Sequence, residues 1–208
     1  MRTRPARREP LALLGLIVVG LVISGLEPAD RLTWLLEVAP VLAGLLVLIG
    51  TYRRFPLTPL SYRLVFLLSL LLLVGGHYTY ARVPAGLWVG EWLGIDRNNY
   101  DRLVHFLGGF VPAILGRELV RRKTHLRRPG WLFVFVSFGC LAGGAMYEFL
   151  EWWAAVATGA DADAFLATQG DPWDTQWDMF LTFLGATTAL LLLSRRHERE
   201  LRRLGAAR

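Results

Sequence analysis

The chain has 208 residues, of which 54% are apolar, 12% aromatic and 19% charged, and its mean hydropathy is positive at +0.39. That balance leaves little room for a separate soluble domain, so residues 1–208 read as a single integral membrane domain. A net charge of +6 would suggest nucleic acid in a soluble protein, but here the basic residues flank apolar runs, which points to anionic membrane lipid as the partner and to no nucleic acid.

Six apolar runs are predicted as helical spans, at 11–26, 34–52, 60–80, 101–118, 131–156 and 174–194. Each is near the roughly 20 residues that a helix needs to cross about 30 Å of hydrocarbon. The fold class is therefore an all-α, polytopic bundle of six transmembrane helices. The first run follows Arg2, Arg4, Arg7 and Arg8 as a signal peptide would, but Ser24-Gly25-Leu26-Glu27 is a poor cleavage site, and the run is expected to be retained.

The charges orient the bundle. Of 23 Lys and Arg residues, 19 fall in every second segment: the N-terminus, Arg53/Arg54/Arg63, residues 117–128 and residues 195–208. Only Arg31, Arg82, Arg97 and Arg102 lie in the alternate segments, where 13 of the 17 acids sit. Both termini are thus expected in the cytoplasm, with three hairpins opening outward.

Two outer loops carry features of their own. In the segment from Val83 to Leu93, Trp88 and Trp92 are four apart, as on a short helix at headgroup level. The segment from Thr158 to Gly170 is too long for a tight turn and too apolar for a plain linker, and reads as a lid or interfacial hook. Its Asp161-x-Asp163 lacks the glycine and the final glutamate of a calcium loop. The single cysteine, Cys140, lies mid-span among Gly139, Gly143 and Gly144, where small residues suggest close helix packing.

The chemistry-bearing residues cluster in the outer halves of the last three spans. Asp101 and His105 are four apart, as are Asp174 and Asp178, and Glu148 and Glu151 are three apart, so each pair shares a helix face. Some have structural readings: Asp171 before Pro172 suits an N-cap, Asp174 then sits in the first turn, Asn98 or Asn99 can cap the fourth span, and Glu151 beside Trp152 and Trp153 can mark the headgroup boundary. Depth separates the others. From Met179 to Leu193 only 15 mostly apolar positions remain, about 22 Å of helix, so Asp178 is drawn towards the hydrocarbon. His105 and Glu148 lie similarly deep. Ionisable groups at that level must face the bundle interior and find partners, with Arg102 or a bound cation as candidates.

The stretch Tyr100-Asp101-Arg102-x-x-His105-Phe106 through Gly109-Phe110-Val111-Pro112 to Arg117-Glu118 resembles the YjdF-like bacterial inner-membrane proteins, a family of unknown function. So do Glu148-Phe149-x-Glu151-Trp152 and Gly170-Asp171-x-Trp173-Asp174-Thr175-Gln176-Trp177-Asp178-Met179. Asp101/His105, Glu148 and Asp178-x-x-x-Thr182-x-x-Gly185 are also similar to VanZ-like membrane proteins, with Thr182 in place of an asparagine. Neither likeness implies a reaction.

Candidate catalytic residues are Asp101, His105, Glu148 and Asp178, and candidate ligands for a divalent metal ion are these four with Glu151 and Asp174. Carboxylates with a histidine at helical spacing are the donor set of a metal inside a helix bundle. Without a metal, His105 would accept a proton and Glu148 donate one. Three classes of function fit: an outer-face enzyme acting on a lipid-linked substrate, a small cation or proton transporter, and a non-catalytic scaffold. No G-x-S-x-G, H-E-x-x-H or nucleotide-binding loop is present.

Overall fold

The computed structural model describes residues 8–126, 128–158 and 168–205, and contains no strand among them. Among these residues seven α-helices follow in order: α1 (Arg8–Ser24), α2 (Arg31–Thr51), α3 (Pro59–Tyr78), α4 (Pro84–Leu93), α5 (Tyr100–Lys123), α6 (Pro129–Thr158) and α7 (Asp174–Arg203). Five of them, α2, α3, α5, α6 and α7, are long and apolar enough to cross a membrane. The first expected run forms α1, which has 17 residues. Most of the expected hook after α6, with Asp161 and Asp163, lies outside the described residues, as do Arg2, Arg4 and Arg7.

Local chemistry starts the helices. Asp30 accepts from the Thr33 N–H at 2.7 Å to cap α2, and Thr58 followed by Pro59 opens α3. Asn98 Oδ1 accepts from the Tyr100 N–H at 3.1 Å, so Asn98 serves the start of α5 while the Asn99 side chain does not cap it. The α7 start differs from expectation. Asp171 takes the Trp173 N–H at 2.9 Å in a turn, and the helix begins at Asp174 with Trp173 at the N-cap. The expected interfacial helix is α4, with Trp88 and Trp92 projecting outward and Gly86 and Gly90 turned inward against Asn98 and the Ile95 carbonyl.

The last three helices form the most tightly knit unit, with α5 packed along α7 and α6 laid over both. At the α5/α7 crossing the backbones nearly touch. A Cβ on Gly109 would lie 1.8 Å from the Thr182 carbonyl oxygen, and one on Gly185 would lie 1.8 Å from that of Phe106. On the other side α1 and α2 pack on α3, which joins the two halves through α5. Gly144 also meets α7, at Thr182, but Gly139 and Gly143 face open space, so close packing explains only one of the three glycines around Cys140.

α5 and α7 run past their expected ends, because a helix can leave the hydrocarbon once charges hold its last turns. Glu118 and His197 are fully buried there. The Glu118 carboxylate accepts from the Thr58 N–H at 3.1 Å, the Thr58 hydroxyl at 3.0 Å, the Ser61 hydroxyl at 2.7 Å and Arg122 at 2.6 Å. Arg117 can only donate, so its 3.1 Å contact makes His197 Nδ1 the acceptor and leaves Nε2–H to donate to Glu118 at 3.2 Å. Glu198 pairs with Arg117 at 2.7 Å and Arg121 at 2.8 Å. This network ties the start of α3, the end of α5 and α7 together.

Two outcomes follow for stability. Gly185→Val forces α5 and α7 apart and should cost about 1–3 kcal/mol or more, read as a lower thermal midpoint in detergent, whereas Gly139→Ala should leave the midpoint unchanged. Glu118→Ala strands Arg122 and His197 and should cost about 3–5 kcal/mol, seen as a loss of monodisperse protein on size-exclusion chromatography.

Candidate functional site

The α5/α7 crossing brings the outer turns of the two helices side by side, and α6 adds a third wall. Asp101 and His105 come from α5, Glu148 and Glu151 from α6, and Asp178 from α7; all five are buried. The ligand atoms of Asp101, His105 and Asp178 lie within 4.8 Å of one another, and those of His105, Glu148 and Glu151 do likewise. His105 is the common member. Its Nε2 stands 3.5 Å from Asp101 Oδ1 and 3.6 Å from Glu148 Oε1, distances too long for good hydrogen bonds.

Among the described residues, Glu148 Oε1 and Asp178 Oδ1 in this cluster and the neighbouring Tyr80 hydroxyl are buried with no hydrogen-bond partner. Each such group costs on the order of 1–3 kcal/mol if left unmet. The contrast with Glu118 at the other end of α5 is direct, since every contact there has a complementary donor.

The rim is organised differently. Arg97 forms an ion pair with Asp174 and also donates to the Thr168 carbonyl at 2.6 Å. Arg102 holds Asp171 at 2.6 Å and lies over the Trp177 ring, 5.4 Å from its centroid. Arg102, expected as a partner for the deep acids, is thus engaged with Asp171 at the rim. Asp174 is drawn to Arg97 and belongs to neither ligand group.

Thr182 closes the floor. Its hydroxyl donates to the His105 carbonyl at 3.2 Å, and its methyl packs where a Cβ on Gly144 would come within 2.9 Å. The His105 ring also meets Tyr147 edge-on, with 6.1 Å between centroids.

Glu37, Tyr80 and Arg97 were not among the residues singled out from the sequence. Glu37 is 1% exposed on α2, within electrostatic reach of Asp101. Its signal was available: it is the one acid inside the second apolar run. Tyr80 gives less warning, because its place depends on a turn at Thr79, whose φ of +61° is unusual for a β-branched residue. That turn lays the Tyr80 ring on Gly75, where a Cβ would lie 1.9 Å from it.

The model of the family described as "Predicted membrane protein (DUF2238)" matches residues 9–199. The inner membrane protein YjdF of Escherichia coli (strain K12) is 52% identical over 185 residues, which cover 89% of this chain and 88% of that protein. No solved structure matches. The motifs on α5, α6 and α7, the apolar helices and these two matches agree: the chain belongs to the DUF2238 family of predicted membrane proteins and is a multi-pass protein of the bacterial inner membrane.

Proposed function

We propose that the outer cluster is the active site of a membrane enzyme that binds a divalent cation and acts on a lipid-linked substrate at the outer leaflet. Asp101, His105 and Asp178 form the first set of ligands, and Glu148 and Glu151 complete the shell or serve as acid and base. The observation that carries this reading is the convergence of four buried carboxylates around one buried imidazole, with Glu148 Oε1 and Asp178 Oδ1 left without a hydrogen-bond partner among the described residues. A cation would satisfy these oxygens and polarise a phosphoryl or carbonyl oxygen of the substrate. Glu148, 3.6 Å from His105, is placed to exchange a proton with it or with a water between them.

A transporter would need polar groups continuing towards the cytoplasm. Below the cluster, α5 and α7 meet instead through Ala113, Ile114, Ala186, Ala189 and Leu190, all buried in one apolar cluster. This apolar layer favours an enzyme over a conduit.

In the same reading the whole chain is one membrane domain, α1 is a sixth span, both termini are cytoplasmic and the cluster faces the periplasm. The arginine asymmetry supports it.

Two measurements test these statements. Asp178→Asn and His105→Gln preserve size and hydrogen-bonding capacity, so both should fold like the parent while bound divalent metal falls at least about 10–100-fold. Normal folding with parental metal content and full rescue of a deletion strain would leave only the scaffold reading. For topology, Cys140→Ala combined with Glu91→Cys should react with an impermeant thiol reagent in intact cells, and Cys140→Ala combined with Arg199→Cys should react only after lysis. Labelling at 199 in intact cells would overturn the orientation.

A further inference from the structure

A cleft of about 550 Å³ runs along α5 between α3 and α6. α3 and α6 each pack on α5 rather than on one another, so α5 is the floor and the other two are walls. Gly108 on the floor and Gly139 and Gly143 on the α6 wall line it, and a Cβ on any of them would meet nothing within 4 Å. These glycines therefore make room without admitting a neighbouring helix. Pro40 and Pro112 line the same space.

Two features point to an occupant. At its outer end the cleft reaches His105, which is 6% exposed and makes no side-chain hydrogen bond among the described residues. Along its length the cleft extends from Val104 to Val120. Sixteen residues of helix span about 24 Å, well beyond the roughly 15 Å depth of one leaflet. Its walls are almost wholly apolar, so water would find no partners there. A chain lying in it starts in the outer cluster and passes the bilayer midplane, which an acyl chain confined to one leaflet does not do.

We infer that the cleft holds the hydrocarbon tail of a polyprenyl phosphate or diphosphate, with the anionic head in the outer cluster. This rests on the reading of that cluster as a cation-dependent site for a lipid-linked substrate, because a phosphate can enter a ring of carboxylates only with a cation between them. The apolar groups of the tail would enter sideways from the membrane through the opening between α3 and α6.

The single native cysteine supplies a reporter, since Cys140 lines the cleft. In purified full-length protein loaded with metal, a membrane-permeant maleimide should alkylate Cys140. Adding polyprenyl monophosphate at ten times its half-protecting concentration should slow this about tenfold, and phosphatidylglycerol at the same concentration should not. A diazirine-bearing polyprenyl phosphate should label α6 near Gly143, and Gly143→Leu should abolish that label while preserving bound metal and thermal midpoint. Gly15→Leu, at an open position on α1, should change nothing. Equal protection by phosphatidylglycerol, or labelling that survives Gly143→Leu, would overturn the proposal. Metal content on the same samples separates the two readings: metal bound without protection refutes the cleft assignment alone, and protection without any metal refutes the cation.

Discussion

The approach of α5 to α7 at Gly109 and Gly185 is the constraint on which the rest of the molecule depends. With carbonyl oxygens of one helix where side chains of the other would otherwise stand, the two axes are held close. Every pair of residues at matching heights then faces its counterpart directly. Above the crossing this sets Asp101 and His105 against Asp178, and below it Glu118 against His197. One crossing, made by two glycines, thus lies between both polar centres. Between lipid-solvated helices no hydrophobic force distinguishes a good pairing from a poor one, so close backbone packing and buried polar contacts must do so.

The two centres differ in completeness. Around Glu118 the acceptors and donors balance: an amide, two hydroxyls, a guanidinium and an imidazole all point at one carboxylate. Such a network fixes a structure and has nothing left to offer a ligand. The outer centre instead gathers Asp101, Glu148, Glu151 and Asp178 around one imidazole, with Glu37 within electrostatic reach of Asp101. The two nearby arginines are held at the rim by Asp171 and Asp174. An arrangement so short of donors is costly in an apolar bundle, and this cost is what supports the proposed binding role over a purely structural one.

Much of this was legible in the sequence, for identifiable reasons. Helical spacing places Asp101 with His105 and Glu148 with Glu151 on common faces, and the cost of burying charge in hydrocarbon turns those faces inward; which helices then adjoin is set by the α5/α7 crossing. Glu37 carries a weaker signal, because a solitary acid on α2 has no ionisable neighbour at helical spacing to mark it. The Glu118–His197 network escaped because both residues sit in Arg-rich segments that look solvated, whereas the helices extend past the apolar runs and carry these segments into a packed bundle end. The glycines divided in a way that composition cannot reveal. Gly109, Gly144 and Gly185 receive a neighbouring helix, while Gly108, Gly139 and Gly143 line a cleft.

Access to the outer centre follows from what covers it. Asn98 donates to the Ala81 and Val83 carbonyls and, with Gly86 pressed against its amide, fastens α4 to the start of α5. Gln169 and the Asn98 backbone bond to each other on the far side, 3.0 Å in one direction and 2.9 Å in the other. These contacts, with the Arg97 and Arg102 ion pairs, restrict the approach from water. Among the described residues the flank between α3 and α6 has no comparable closure, and the cleft along α5 opens there. On the proposed function, a site capped towards the aqueous phase and open towards the bilayer would select substrates that already reside in lipid, because the free-energy cost of bringing a soluble polar molecule through hydrocarbon to reach it is prohibitive.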